Sequence, residues 1–202
     1  MRELHAKVAS GEEPETWIVV EHDPVVTIGR NAKAEHLLVP RDVLSAKGID
    51  VVDVERGGDV TYHGPGQLVV YPIMKLERFR EIVPLVTAIE EGVLTALLSF
   101  GIEAHQRREH RGIYVGERSI CAIGLAIRKM TSMHGLALNV ATPLDYDRLI
   151  VPCGMPQLGI TSLSAELARP VALEEAKSPL LSALAARLGR SLVTELMQPA
   201  RY

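Results

Sequence analysis

Residues 56–72 read RGGDVTYHGPGQLVVYP, a glycine-rich stretch that runs directly into an apolar strand. Its four glycines allow the backbone to approach a ligand closely or to adopt positive φ angles. It is not a phosphate-binding P-loop, because no Gly-Lys-Ser/Thr follows and no helix is predicted to begin there. Arg56 could hold an anion and His63 could exchange a proton. A hairpin loop with a structural histidine is the alternative interpretation.

On both sides of this stretch, strands are predicted in runs and helices at intervals. Residue composition and alternation predict strands at 16–21, 24–28, 50–55, 66–74, 111–116, 118–127 and 132–140, with a turn at 128–131 joining the last two. Helices are predicted over 1–9, from Pro40 to Lys47, over 82–99, and over 164–196 with a break or kink at Pro179. This order predicts an α+β fold with a mixed, largely antiparallel sheet, in a single domain over 1–202.

Composition excludes several classes of protein. The chain has 202 residues, 47% of them hydrophobic, which suits one domain with a sizeable core. The formal net charge of -3 lacks the basic footprint of nucleic-acid binding. The charged start lacks the apolar core of a signal peptide, and no run approaches the roughly 18 uncharged apolar residues of a membrane span. With two cysteines, too few for a disulfide framework and not spaced as metal ligands, we expect a soluble, cytoplasmic protein without a metal.

The predicted hairpin carries small residues on one face of both strands. An extended alkyl chain could lie in the shallow trough that such residues leave. Close packing of another element against the same residues is an equally good interpretation. The small residues are Ala122, Gly124 and Ala126 on the first strand and Gly135 and Ala137 on the second.

Cys153 lies in IVPCG at 150–154, where the flanking proline and glycine predict a tight turn. A thiol on such a turn points in a fixed direction, as a nucleophile requires. A structural cysteine is more typical inside a strand, where Cys121 is predicted to lie. A small buried hydrophobe is the alternative interpretation for either cysteine.

Together these strings resemble the octanoyl-[acyl carrier protein]:protein octanoyltransferases, the lipoate–protein ligase B type enzymes. The resemblance runs over essentially the whole chain, in the family's order and spacing. It implies the fold of biotin and lipoate protein ligases, a mixed sheet flanked by helices. The strings that carry it are RGGDVTYHGPGQLVVYP at 56–72, CAIG at 121–124, HGLALNV at 134–140, IVPCG at 150–154, EHDPVVTIGR at 21–30 and GITSL at 159–163.

The resemblance implies acyl transfer through Cys153, with no cofactor. The thiolate would take the octanoyl group from octanoyl-acyl carrier protein as a thioester, and the ε-amine of a lipoyl-domain lysine would take it as an amide. The implied acceptors are the lipoyl domains of 2-oxoacid dehydrogenases and the glycine cleavage H protein, and we expect a monomer. The implied substrate site comprises Arg56, Gly57, Gly58, Asp59, Val60, Thr61, Tyr62, His63, Ala122, Ile123, Gly124, Gly135, Leu136 and Ala137.

The chain departs from the family in two places. Ser119 stands where the family has a lysine that lowers the pKa of the cysteine thiol. Since an unassisted thiol is only a few per cent thiolate at pH 7, we expect a rate lower by roughly one to two powers of ten. His63, His134 or Arg118 would compensate in part. The family also has a strand and most of a helix ahead of the point where this chain begins, so we expect either an upstream start or a fold without that edge element.

Other functions stay open. The chain could be an acyl shuttle that moves octanoyl or lipoyl groups between lipoyl domains. It could also be a catalytically impaired module that binds acyl groups or carrier proteins, as Ser119 suggests. An ATP-dependent lipoate ligase is disfavoured, because the sequence contains no recognisable nucleotide-binding loop.

Overall fold

The computed structural model describes residues 1–107, 111–155 and 157–193. Ten strands, five α-helices and short 3₁₀ turns make up this part of the chain. In chain order they are α1 (Arg2–Ser10), β1 (Thr16–Val20), β2 (Val25–Ile28), α2 (Arg41–Ala46), β3 (Asp50–Asp53), β4 (Val60–His63), β5 (Gln67–Ile73), α3 (Ile82–Ser99), β6 (His105–Gln106), β7 (Gly112–Val115), β8 (Arg118–Arg128), β9 (Thr131–Asn139), β10 (Gly159–Ile160), α4 (Leu163–Glu166) and α5 (Leu173–Leu188).

The strands form two sheets. The main sheet has the antiparallel order β1-β5-β9-β8-β7-β6, with β10 added in parallel to β8. The small sheet has the order β3-β2-β4, in which β2 is parallel to β3 and antiparallel to β4. This mixed, largely antiparallel arrangement with flanking helices confirms the predicted fold class. The His22–Pro24 segment separates β1 from β2, and these two strands enter different sheets.

The main core lies between the sheet and the packed pair α3 and α5. Helix α3 presents the predicted apolar stripe, including Ile89, Val93 and Leu97, to this core. A Cβ at Gly92 would lie 2.8 Å from Leu184 Cδ2, so the glycine permits the close approach of the two helices. Phe79–Ser99, with a mean hydropathy of 1.6, is the one helix in the described residues long and apolar enough to cross a membrane. Here its buried stripe packs within the domain.

A second, smaller core joins the small sheet to the segment that carries Cys153. Val26 and Val60 from the small sheet pack with Leu44 of α2. Tyr146 and Ile150 contribute to the same cluster. Because these two residues precede Cys153 closely in the chain, the second core fixes the cysteine turn against the small sheet.

The structure corrects two predicted boundaries. The C-terminal helical region is interrupted at 167–172, and α5 then continues through Pro179 without a break. Packing of Leu180 and Leu184 in the main core holds the helix together across the proline. The predicted helix also ended too late, since residues 189–193 are not helical and 194–196 lie outside the described residues. The second correction concerns the glycine-rich stretch, which is not one loop, because β4 occupies its centre.

Candidate active site

A cavity of about 980 Å³ is lined by residues of both sheets and the first turns of α3. Most of the lining is aliphatic, with Val20, Val25, Val86 and Ile127 among the contributing side chains. A smaller set of polar residues gathers in the same cavity, among them His22, Thr27, Arg56, Asp59, Thr61, His63, Tyr71 and His134. An apolar pocket with a few placed polar groups is the usual form of a small-molecule site.

The small residues of the β8–β9 hairpin form part of the cavity wall. In the antiparallel register, Ala122 pairs with Ala137 and Gly124 pairs with Gly135. Side chains of directly paired residues lie on the same face of a sheet, so these four positions leave a shared depression. All four line the cavity, as the trough interpretation predicts.

The glycine-rich stretch covers one end of this depression. The Gly57 N–H donates to the Leu125 carbonyl at 2.9 Å. A Cβ at Gly124 would lie 3.0 Å from the Gly57 carbonyl oxygen and 3.2 Å from Arg56 Cδ. A Cβ at Gly135 would lie 2.7 Å from Pro72 Cδ. The alternative interpretation of close packing is therefore correct at Gly124 and Gly135, whereas Ala122 and Ala137 remain part of the cavity wall.

Arg56 connects the two sheets. Its guanidinium is buried and donates to the Thr27 carbonyl and hydroxyl of β2, each at 2.8 Å. Its stem packs against Gly124 of the main sheet. A buried cation at the cavity wall favours a partial negative charge on a bound ligand.

Alternation along β4 divides the implied substrate residues into two groups. Thr61 and His63 line the cavity. Val60 and Tyr62 are buried on the other side, in the second core, where the Tyr62 ring stacks on Tyr146 with centroids 4.7 Å apart. The other implied residues are brought together at the cavity, so Val60 and Tyr62 support the site only through packing.

A buried hydrogen-bond chain orients His63. Its Nδ1 lies 2.7 Å from Gln67 Oε1, and Gln67 Nε2 donates to the Asn139 amide oxygen at 2.9 Å. Since Gln67 Nε2 also donates to the Tyr62 carbonyl, Oε1 is the acceptor for His63 Nδ1–H. Burial lowers the His63 pKa to about 3. The imidazole is therefore neutral near pH 7, with Nε2 as its acceptor atom.

Cys153 lies in the 3₁₀ turn Pro152–Gly154, which confirms the predicted turn. The structure describes the backbone of Cys153 but not its side chain. Two contacts place this turn. The Val151 N–H donates to the His36 carbonyl at 2.8 Å, and a Cβ at Gly154 would lie 2.7 Å from Asp59 Oδ2. Because Asp59 also lines the cavity, the cysteine turn adjoins the cavity wall.

Comparison with known proteins gives the family. Residues 1–185 match the family described as the lipoyl protein ligase A/B catalytic domain. The octanoyltransferase of Caldicellulosiruptor saccharolyticus is 41% identical over 175 residues, which cover 85% of this chain and 74% of that protein. The octanoyltransferase of Serratia proteamaculans is 47% identical over 176 residues, covering 87% and 76% respectively.

The chain belongs to the octanoyltransferases of this family. Octanoyltransferases are acyltransferases, and the enzyme class expected from the resemblance is confirmed. Solved structures support the fold. A lipoate-protein ligase A crystallised with ATP superposes with a TM-score of 0.80 at 19% identity, covering 96% of this chain and 82% of that one. The Aquifex aeolicus biotin protein ligase gives 0.52 at 13% identity, with 82% and 68% coverage.

Ser119 is buried at the start of β8. It lies between Tyr114 of β7 and Ile160 of β10, and its carbonyl accepts the Thr161 N–H at 2.9 Å. Ser119 is not among the described residues that line the cavity. The half-exposed Arg118 beside it forms an ion pair with Glu166 at 3.0 Å. The Arg118 guanidinium is thus already engaged on an outer surface.

Several cavity residues were absent from the predicted site, among them His22, Thr27 and Tyr71. The Tyr71 hydroxyl lies 2.8 Å from His22 Nε2, and burial raises the Tyr71 pKa to about 12. All three fall within strings that carried the resemblance, 21–30 and 56–72. The available signal was therefore the string itself, because His22 lies outside the strands and burial does not alternate along β2, which carries Thr27, or along β5, which carries Tyr71.

His134 completes the polar end of the cavity. Its backbone has a φ of 60°, its ring is buried, and its Nε2 makes no hydrogen bond within the described residues. Burial lowers the His134 pKa to about 4, although Glu55 Oε2 lies 3.7 Å from Nε2. The described residues contain no cluster of three His, Cys, Asp or Glu side chains suited to a metal ion.

Proposed function

We propose that this protein transfers an octanoyl group to a lysine of a lipoyl domain through a thioester on Cys153. The observation that carries the proposal is the contact between the cysteine turn and the cavity wall. A Cβ at Gly154 would lie 2.7 Å from the cavity residue Asp59. The aliphatic cavity beside this turn, lined in part by the paired small residues of β8 and β9, is the proposed site for the acyl chain.

The reaction proceeds in two exchanges. The Cys153 thiolate attacks the thioester carbonyl of octanoyl-acyl carrier protein, and the carrier thiolate leaves. The lysine amine of the lipoyl domain then attacks the enzyme thioester, loses a proton, and displaces Cys153. The first exchange is close to neutral in energy and the second is downhill, so neither requires ATP. The covalent intermediate allows the two carrier proteins to bind in turn. A free thiol of this kind suits a reducing, cytoplasmic location.

Each exchange forms an oxyanion that needs fixed donors. The backbone N–H groups of Gly58 and Asp59 make no hydrogen bond within the described residues. Gly58 has a φ of 85°, so its peptide groups adopt an orientation that an ordinary residue would resist. We assign the oxyanion to this segment, where it adjoins both the cavity and the cysteine turn.

Intact-protein mass spectrometry after mixing with octanoyl-acyl carrier protein tests the proposal. We expect the mass to rise by one octanoyl group, and Cys153→Ser to abolish the rise. Cys121→Ala is the matched control, because Cys121 is fully buried inside β8 and should leave the rise intact. Loss of the octanoyl mass on adding a lipoyl domain would complete the cycle. An unmodified enzyme at every pH would contradict the proposal.

One further acyl donor and one further variant separate the alternatives. If an octanoylated lipoyl domain acylates Cys153 faster than octanoyl-acyl carrier protein does, the protein is an acyl shuttle.

Ser119 is the feature that favours an impaired binding module. If Ser119 limits the rate, Ser119→Lys should accelerate acylation at neutral pH by roughly ten-fold or more, in line with a larger thiolate fraction. An unchanged rate would mean that another group already activates the thiol.

A further inference from the structure

His36 and Asp59 form a buried pair beside the cysteine turn. His36 Nδ1 lies 2.6 Å from Asp59 Oδ2, and their side chains are only 11% and 13% exposed. The other Asp59 oxygen accepts the Val60 N–H at 2.7 Å, which fixes the carboxylate. Nδ1–H is therefore the donor, which leaves Nε2 as the ring nitrogen that can exchange a proton. That Nε2 makes no hydrogen bond within the described residues.

The chain holds this pair against the turn from two directions. Leu37 forms an antiparallel bridge with Ile150, and the Val151 N–H donates to the His36 carbonyl at 2.8 Å. The His36 ring also lies close to Gly154, because a Cβ placed on Gly154 would lie 3.0 Å from His36 Cε1. His36 is thus fixed both to the residues before Cys153 and to the residue after it.

We propose that His36, oriented by Asp59, is the base that activates Cys153. The inference rests on the proposed function, in which Cys153 is the nucleophile. A nucleophile beside a histidine, which is itself oriented by a carboxylate, is the arrangement that acyl-transfer enzymes use on unrelated folds. In this chain, where position 119 is an uncharged serine, the pair would supply a basic group to the cysteine turn.

The proton balance is simple in this arrangement. His36 Nε2 takes the proton of the Cys153 thiol as the sulfur attacks the donor thioester, and the imidazolium returns that proton to the departing carrier thiolate. In the second exchange His36 Nε2 takes a proton from the attacking lysine amine, and Cys153 leaves as the thiolate. Asp59 stays ionised and stabilises the imidazolium in both exchanges.

The charges around the cysteine turn determine whether His36 raises or lowers the pKa of the Cys153 thiol. Asp59 is the ionisable side chain that contacts His36 within the described residues, and it also adjoins the turn. A carboxylate alone would disfavour the Cys153 thiolate and raise the thiol pKa. A protonated His36 beside it offsets that charge and favours the thiolate. Removing the imidazole while keeping Asp59 should therefore raise the thiol pKa, which makes the contribution of His36 measurable.

The test uses His36→Asn in the full chain with Cys121→Ala as background. The asparagine amide can reproduce the Nδ1–H donor to Asp59, so the variant removes Nε2 and keeps the structural hydrogen bond. The rate of Cys153 alkylation by iodoacetamide is measured across pH by intact mass. We expect a rate at pH 7 at least ten-fold below that of the parent, and a profile that rises only toward the ordinary thiol pKa of about 8.5.

Two comparison variants make the result decisive. His105→Gln changes an exposed histidine on the edge strand β6 and should leave the profile unchanged. Asp59→Asn should also slow alkylation at pH 7, because losing the carboxylate that holds the imidazolium at 2.6 Å outweighs removing a negative charge near the thiolate. If circular dichroism shows that His36→Asn is unfolded, the alkylation profile of Asp59→Asn tests the proposal independently. A folded His36→Asn protein with the parental profile, or an unchanged profile in Asp59→Asn where His36→Asn is unfolded, would overturn the proposal.

Acylation by octanoyl-acyl carrier protein separates this inference from the proposed function. Equal acylation rates in the parent and in folded His36→Asn would remove His36 from the mechanism and leave Cys153 as the nucleophile. A shifted alkylation profile without any octanoyl-enzyme in the parent would keep the His36–Cys153 coupling and contradict octanoyl transfer.

Discussion

At the residue scale, the polar end of the cavity depends on histidines that are buried without charge. His63 and His134 are 8% and 6% exposed, and burial lowers their pKa values to about 3 and about 4. Neither can gain a proton near neutral pH without losing the folded environment. Both are therefore neutral hydrogen-bonding groups at the cavity wall.

This protonation pattern predicts a stability loss in mild acid. The unfolded histidine pKa is about 6.5, so between pH 6.5 and 4 the unfolded chain binds protons that folded His63 and His134 do not bind. Stability is thus complete above pH 6.5 and falls as the pH drops. Each histidine should contribute a loss of about 2 kcal/mol between pH 7 and pH 5. Glu55, whose pKa is lowered from 4.5 to about 2, contributes little between pH 7 and pH 5 and acts mainly at lower pH.

Urea unfolding at the two pH values measures this loss for the parent and for His134→Asn. Asparagine tolerates the positive φ of position 134, so the variant removes the titrating ring with little added strain. We expect its loss between pH 7 and pH 5 to be smaller by about 2 kcal/mol. The exposed His105→Gln should match the parent. An identical pH dependence in His134→Asn would show that His134 does not remain neutral in the folded protein.

At the element scale, helix α5 was the least predictable part of the fold. Proline inside a helix removes one N–H donor and crowds the preceding turn, so a break at Pro179 was the expected outcome. The actual interruption lies at 167–172, where Ala168 has a φ of 50° and Pro170 follows. Leu180 and Leu184 are nearly fully buried, and their packing offsets the cost of the proline.

Pro179→Ala should therefore stabilise the protein. The new N–H would donate to the Glu175 carbonyl, and the ring clash would disappear, which we expect to raise the free energy of unfolding by about 1–3 kcal/mol. Denaturant unfolding of this variant beside Ser178→Ala, an exposed neighbour in the same helix, separates the proline effect from general helix propensity. A decrease in stability would mean that the surrounding packing is adapted to the proline ring.

At the scale of the whole molecule, the cavity is a space between two sheets that few groups bridge. Arg56 reaches Thr27 of the small sheet and packs against Gly124 of the main sheet. The second core packs the segment that carries the cysteine turn against the small sheet. A ligand that fills the cavity would therefore stabilise the junction of the two sheets along with its own site.

Acylation should consequently raise the melting temperature. Each buried methylene contributes about 0.8 kcal/mol, so burying half of the octanoyl chain adds about 3 kcal/mol, or roughly 5–10 °C for a domain of this size. Differential scanning fluorimetry of the octanoyl-enzyme and of an acetyl-enzyme made in the same way measures the difference. The acetyl group should give almost no increase. Equal shifts for the two acyl groups would place the alkyl chain outside the cavity.

The sequence by itself determined the features that depend on neighbours within a few residues. The α3 stripe, the 128–131 turn, the tight turn at Cys153 and the small-residue face of β8 and β9 all follow from local period and turn chemistry, and the structure has each of them. The strings at 56–72, 121–124 and 134–140 also carried the family and contain many of the cavity residues, whereas the cavity residues on β1, β2, β3 and α3 were not predicted.

Only the tertiary structure decided which distant groups meet. His36 and Asp59 are separated by 23 residues, and His63 is oriented through Gln67 by Asn139, which is 72 residues further along the chain from Gln67. The assignment of β1 and β2 to different sheets, and the continuity of α5 through Pro179, depend in the same way on packing across the core. Local periodicity carries no record of these contacts, because they form only when the two sheets and the helices bury their surfaces against one another.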